Sequence, residues 1–207
     1  MLFRSGQRWG EFQVRLIGRH NVLNALAAVA VGEELDLSPE QVAEGLRGFQ
    51  GVGRRFELKG EVGGVTVVDD YGHHPTEIRA TLAAAKQYGC KRIHVIFQPH
   101  RFTRTRDLMD EFAGAFRDAD TLQVLDIYPA SEQPIPGITG EALVEKIVQQ
   151  GTNASFAESF PAAISRCLGM AKKDELVLTL GAGNVSQIGP MLLQALEPGE
   201  ESVRQGN

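Results

Sequence analysis

From Val65 onward the chain alternates short apolar runs with stretches of helical character. No other feature restricts the possible folds so strongly. The apolar runs predict strands over 65–69, 92–98, 121–127 and 175–180. Between them the pattern predicts helices over 75–88, 104–118, 139–150, 159–172 and 184–196. Pro75 opens the first helix and Gly89 stops it. Leu108, Phe112 and Ala115 follow helical spacing in the second. Thr139 and Ser159 are of N-cap type, with Pro161 soon after the latter. Strands that alternate with helices pair in parallel, and the helices cover both faces of the sheet. The expected class is therefore α/β: a Rossmann-like, mainly parallel sheet with helices on both faces.

The first fifty residues read differently. Residues 2–17 alternate loosely around Gly6 and Gly10, as a hairpin would. An alanine-rich stretch, Ala25 to Val31, predicts a helix over 21–34, since alanine is the best helix former. Ser38-Pro39 starts a second helix reaching about Leu46. Gly48, Gly51 and Gly53 then punctuate the chain and suggest a boundary near 51–53. The division expected is 1–53, 54–200 and a polar, frayed tail, 201–207.

Composition excludes several classes. Hydrophobic residues make up 43% of 207, enough for a sizeable core and too many for a disordered chain. A net charge of -5 argues against a nucleic-acid binder. Cys90 and Cys167 are the only cysteines and form no CxxC pair, so no zinc site or disulfide framework is expected. No apolar run reaches the roughly 20 residues of a spanning helix, and the first residues have no signal-peptide core. The expectation is a soluble, cytoplasmic protein that touches no membrane.

In open α/β sheets, ligands bind outside the carboxyl ends of the strands. Here those ends are the polar ones. The first strand runs into Asp69-Asp70-Tyr71-Gly72-His73-His74-Pro75. The second runs into Gln98-Pro99-His100-Arg101, with Arg104 and Arg106 beyond. The third reaches Asp126-Ile127-Tyr128, and the fourth Gly181-Ala182-Gly183-Asn184. Asp70 after a strand suits hydrogen bonds to a ribose; alternatively Asp69 or Asp70 caps the turn. His73 and His74 could meet metal or phosphate, or simply be solvated. Guanidinium groups at Arg101 and Arg104 suit carboxylate or phosphate, unless Asp107 and Asp110 pair with such charges. Arg54-Arg55 follows the glycine hinge. Gly181 and Gly183 permit close backbone approach. There is no dinucleotide fingerprint, no Gly-x-x-x-x-Gly-Lys-Ser/Thr loop and no nucleophile elbow.

Five segments together closely resemble the Mur ligases of peptidoglycan synthesis. They are 18–25 (Gly-Arg-His-Asn-Val-Leu-Asn-Ala), 53–57 (Gly-Arg-Arg-Phe-Glu), 69–78, 97–105 and 180–183, in family order. The resemblance implies ATP-dependent amide formation through an acyl phosphate, with UDP-N-acetylmuramate and L-alanine as substrates. It implies that His20, Asn21 and Asn24 contact adenine. Arg54 or Arg55 would reach the ATP phosphates, and Asp70 the ribose. Tyr71, His73, His100, Arg101 and Arg104 would face the amino acid and the acyl group, with Gly181, Ala182 and Gly183 lining the same cleft. His73 joins Arg54 and Arg55 as a catalytic candidate.

The family also carries an N-terminal domain and a central domain with a phosphate loop. Its magnesium ligands lie mostly in that missing part, so no metal site is expected in these residues. Residues 1–53 would be a hairpin-and-helix remnant of the central ATPase domain. The chain alone is then expected to be inactive. The competing readings are an orphan module that binds a nucleotide or partner, and the related tripeptide-recycling ligase. An oxidoreductase domain is disfavoured by the absent glycine fingerprint.

Overall fold

The computed structural model describes residues 2–4, 7–49 and 51–197. The expected frayed tail, 201–207, lies outside the described residues. The chain divides into two compact units, Met1–Gly53 and Arg54–Asn207.

In the first unit, β1 (Leu2–Arg4) pairs antiparallel with β2 (Gln7–Gly10). The hairpin stops at Gly10, short of the expected 17. Helix α1 (Arg19–Glu34) follows, then α2 (Pro39–Gly48). The second helix starts where its caps dictate. Ser38 Oγ accepts from the Gln41 amide, while Gln41 Oε1 accepts from the Ser38 amide. Gly32 lets the two helices approach, since a Cβ there would lie 2.7 Å from a Val42 methyl. Helix α1 buries little: Asn21, Val29 and Gly32 are inside, whereas Val22, Leu23, Leu26 and Val31 are exposed.

The second unit is one six-stranded sheet in the order β3-β4-β8-β5-β6-β7. Its strands are β3 (Glu57–Val62), β4 (Val65–Asp70), β5 (Ile93–Phe97), β6 (Thr121–Val124), β7 (Ala154–Phe156) and β8 (Glu175–Leu180). Only β3 is antiparallel, joined to β4 across Gly63-Gly64. Both glycines have positive φ, 61° and 78°, as a two-residue hairpin turn requires. The other pairings are parallel.

Helix α3 (Pro75–Tyr88) has His74 as its N-cap, with Glu77 closing a capping box, and ends at Gly89 in the left-handed region. Helices α6 (Gly140–Gln149) and α7 (Phe160–Met170) begin at Thr139 and Ser159, whose hydroxyls accept from the third residue on. Side chains of α3, α5 (Met109–Ala113) and α6 fill one face of the sheet, around Phe97, Phe112 and Phe116. Those of α7 and α8 (Ile188–Leu196) fill the other, around Val67, Ile96 and Val177. The aromatic rings sit 5.1–5.7 Å apart by centroid. Truncating any one to alanine would cost about 3–5 kcal/mol.

In the second unit three expectations need correction, and two strands have no counterpart among them. The helix over 104–118 is two short ones, α4 (Phe102–Asp107) and α5, broken at Leu108, whose φ of -116° is not helical. The break lets Leu108, Met109 and Phe112 all reach the core. The strand over 121–127 stops at Val124, where Leu125 bonds back to the Phe97 carbonyl and its neighbours leave the ladder. The last helix opens with a 3-10 turn, Asn184–Gln187. Strands β3 and β7 carry no apolar run at all. Both are edge strands, half-buried, so neither needed one.

Candidate active site at the carboxyl ends of the strands

The connections leave β4 and β5 toward one face of the sheet, whereas β8, between them, sends its chain to the other. A crevice opens where neighbouring strands diverge in this way. The ends of β4, β8 and β5 meet there. The Gly181 amide bonds the Asp70 carbonyl, and the Gln98 amide bonds the Leu180 carbonyl.

Arg54 fastens this edge. Its Nε donates to Asp69 Oδ2 at 2.8 Å, Nη1 to the Gly183 carbonyl at 3.1 Å, and Nη2 to the Gly181 carbonyl. Asp69 is fully buried and also accepts from Thr179 Oγ1 at 2.6 Å. The Arg54 carbonyl receives the Tyr71 amide, and the Tyr71 ring lies 5.1 Å from the guanidinium carbon. Arg55 is different. Its side chain is half exposed, 3.7 Å from Glu77 and 5.8 Å from the Tyr71 ring centroid.

Asp70 is 4% exposed, and both oxygens are engaged. Oδ2 accepts from the Phe56 amide, and Oδ1 from the Gly72 amide and Thr81 hydroxyl. Burial pushes its carboxyl up; the three donors and Arg55 oppose that only in part. As it stands this carboxylate holds the turn, with three donors on it and little of it exposed.

A row of rings runs along the edge. Tyr71 meets His73 edge-on at 5.3 Å, His73 faces His100 at 5.9 Å, and His100 stacks on Tyr128 at 5.5 Å and 11°. His73 Nδ1 lies 3.1 Å from the Tyr71 carbonyl and 3.5 Å from Glu77 Oε2. His74 turns away to cap α3, its Nδ1 accepting from the Thr76 amide. Arg104 Nη1 reaches both the His100 carbonyl and its Nδ1, at 3.1 and 3.3 Å. Burial, and then the Arg104 charge, hold the His100 imidazole below its ordinary pKa. Arg101 has an exposed side chain and sits at φ 76°, with its amide on the Tyr128 carbonyl.

The glycines of the β8 loop earn their place. A Cβ on Gly181 would lie 2.6 Å from the Gln98 carbonyl; on Gly183 it would meet Gln98 Oε1 at 2.6 Å and the Tyr128 ring at 2.7 Å. Tyr128 and Gln98 are thus parts of the site that sequence reasoning did not assign. Each stands just beyond an apolar run, and that position was the available signal.

A model of the Mur ligase glutamate ligase domain matches residues 54–183. The chain belongs to the Mur ligase family. It is 57% identical, over 92% of its length, to the UDP-N-acetylmuramate–L-alanine ligase of Koribacter versatilis. It spans only 41% of that relative. The crystal structure of the UDP-N-acetylmuramate–alanine ligase of Thermotoga maritima superposes with a TM-score of 0.77 at 31% identity, over 93% of this chain and 41% of that one. A murein peptide ligase from Psychrobacter arcticus gives 0.67 at 27%, over 89% and 38%. The Mur ligase sheet is the mainly parallel α/β fold expected from the sequence.

Of the residues singled out, Arg54, Arg55, Asp70, Tyr71, His73, His100, Arg101, Arg104 and Gly181 to Gly183 belong to this Mur ligase domain, at or beside the strand ends. His20, Asn21 and Asn24 belong to the first unit. There Asn21 is buried, its Nδ2 on the Ile17 carbonyl and its Oδ1 accepting from Asn24; His20 is half-buried and Asn24 exposed. Among the described residues no group of three or more His, Cys, Asp or Glu side chains could hold a metal ion. No helix of the described residues is long and apolar enough to cross a membrane.

Proposed function

We propose that this chain is the carboxyl-terminal portion of an ATP-dependent ligase that joins L-alanine to UDP-N-acetylmuramate, a step of peptidoglycan assembly in the cytoplasm. One observation carries the reading. Arg55, Tyr71, His73, His100 and Arg104 gather along one sheet edge, in a chain more than half identical to ligases named for that reaction. Amide formation through an acyl phosphate demands positioning and neutralisation of phosphoryl charge. Cationic and imidazole groups at a sheet edge meet that demand.

The roles divide by availability. Arg55, half exposed and held by long contacts to Glu77 and the Tyr71 ring, is the arginine free to reach phosphate. Arg54 is the clamp that shapes the Gly181–Gly183 backbone. Asp70 acts by fixing the Tyr71–His73 turn, so a ribose would be met by its surroundings and not by its carboxylate. Tyr71, His73, His100, Arg101 and Arg104 form the wall for the amino acid and the acyl group. His20, Asn21 and Asn24 are the adenine contacts of the first unit, with Asn21 acting through the backbone it holds. Magnesium, which the family chemistry calls for, has no cluster of donors among the described residues, and none is assigned to it here.

The 207 residues contain no phosphate loop, so the polypeptide alone is expected to bind nucleotide weakly and turn nothing over. Calorimetric titration of ATP, with and without a separately expressed N-terminal portion of the Koribacter versatilis relative, tests this. Turnover restored by mixing supports the ligase. Weak binding without rescue favours an orphan module. Turnover by the chain alone refutes the division of parts.

A further inference from the structure

The hydrogen bonds of the two facing imidazoles differ in kind. His73 Nδ1 lies 3.1 Å from the Tyr71 carbonyl, which can only accept, so Nδ1 must carry the proton. Glu77 Oε2, at 3.5 Å, favours the same assignment. His100 Nδ1 lies 3.3 Å from Arg104 Nη1, which can only donate, so this Nδ1 must be bare. Arg104 is anchored independently by the His100 carbonyl and cannot turn away without losing that bond. Neither Nε2 is used in a hydrogen bond among the described residues.

We infer that His73 and His100 are locked in opposite tautomers and thereby divide the proton chemistry of the site, His73 presenting a bare Nε2 as proton acceptor and His100 an Nε2–H as neutral donor. The surroundings of His100 disfavour a second proton on its ring. His100 is faced by Arg104 and Arg101 on its own segment, by His73 across the gap, by the stacked Tyr128, and by Glu132 from the next loop. Burial and the cations outweigh Glu132 and disfavour an imidazolium there. His73 is faced by Glu77, by Tyr71 and by His100, with Arg54 and Arg55 beyond the Tyr71 ring. The pair of rings, 5.9 Å apart, thus offers one acceptor and one donor side by side.

The use of that pair rests on the amide-forming reading above. An amino acid brings an amine that is largely protonated near neutral pH; the ammonium gives one proton to solvent before its nitrogen has a lone pair to attack with, and the nitrogen sheds a second as it bonds to carbon. As the neutral amine attacks the acyl carbon, the C–N bond forms and the C–O bond to phosphate breaks. Phosphate leaves with the electron pair, and the second proton passes to His73 Nε2. His100 Nε2–H, which takes no proton, donates to the oxygen where negative charge develops.

Imidazole nitrogen NMR on the intact 207-residue chain reads each tautomer directly. The expected result is Nδ1–H with a bare Nε2 at His73, and Nε2–H with a bare Nδ1 at His100, this neutral form persisting to lower pH than in an ordinary histidine. Arg104→Gln should let the His100 midpoint rise toward the ordinary value while His73 keeps its tautomer. The same tautomer on both rings, or an unmoved His100 midpoint, overturns the assignment. In the mixed, turnover-competent preparation, His73→Gln should lower kcat about 10²–10⁴-fold, the usual worth of a general base. His100→Gln, which keeps an N–H donor, should retain more activity than His100→Leu. Activity within threefold of the parent for His73→Gln overturns the base role. If mixing restores no turnover, the ligase reading fails and the chemical use falls with it, while the NMR result still decides the tautomers.

Discussion

Replacing Arg54 by alanine should destabilise the second unit far more than the same change at Arg55. Arg54 bridges the buried Asp69 and the carbonyls of Gly181 and Gly183. Its side chain is 25% exposed and that of Asp69 1%. Removing one partner of a buried ion pair costs about 3–5 kcal/mol, because the other charge stays behind unpaired. Thr179 still donates to Asp69, and water can enter from the exposed side, so the low end, about 3 kcal/mol, applies here. Arg55 is half exposed at 3.7 Å from Glu77, and such a pair is worth about 0–1 kcal/mol. With a urea slope near 2 kcal/mol per molar for a domain of this size, the midpoints should fall by roughly 1.5 M and by at most about 0.5 M. Trp9, the one tryptophan, lies in the first unit, so its fluorescence does not follow this transition. Far-UV dichroism and amide exchange at Gly181 do. A third variant separates strain from contact. Arg54 sits at φ 61°, where glycine is unstrained, so Arg54→Gly should recover about 1 kcal/mol relative to Arg54→Ala. Equal midpoints for Arg54→Ala and Arg55→Ala would refute the assignment of clamp and free arginine.

Four further outcomes follow from the same geometry. Gly181→Ala should cost more than Gly183→Ala: at 181 the new Cβ meets a backbone carbonyl at φ 142°, whereas at 183 it meets two side chains that can shift; thermal melts of the two variants check the order. Asp70→Asn should lower stability by about 1–3 kcal/mol, since an amide nitrogen would face the Phe56 or Gly72 donor, and an unchanged melt would return Asp70 to the list of free carboxylates. Burial pushes the Glu175 carboxyl up, but His94 at 2.9 Å and the Lys172 amide bring it below its ordinary value. That stabilisation is complete above the unfolded pKa, about 4.3, and is lost as pH falls through the lower folded value, so Glu175→Gln should flatten the acid limb of a stability–pH curve. Val22, Leu23 and Leu26 stand exposed on α1, so sedimentation should show concentration-dependent association of the chain, weakened by Leu23→Lys; a strictly monomeric parent would dismiss that face as a contact.

The sequence by itself determined the class of fold and the edge where polar side chains gather. Apolar runs separated by capped helices admit a parallel sheet and little else, and the caps at Ser38, His74, Thr139 and Ser159 are local, satisfied within three residues. Polar residues crowd the carboxyl ends of the strands, where the buried ones, Asp69, Asp70 and Gln98, find hydrogen-bond partners in the turns that follow and in Arg54. The tertiary structure alone decided the edges of the sheet and the duties of the polar groups. Strand β3 exists because Gly63-Gly64 folds it onto β4, and β7 because it closes the far side of β6; as half-buried edges they leave no apolar signature. Arg54 and Arg55 are indistinguishable as neighbours in sequence. Their difference comes from acceptors at 181 and 183, more than 120 residues away. Asp70 lost its freedom to Phe56 and Thr81, and the tautomers of His73 and His100 follow from Tyr71 and Arg104. A side chain's type can be read locally; the hydrogen-bond partner that commits it to one role is chosen by the packing of distant strands.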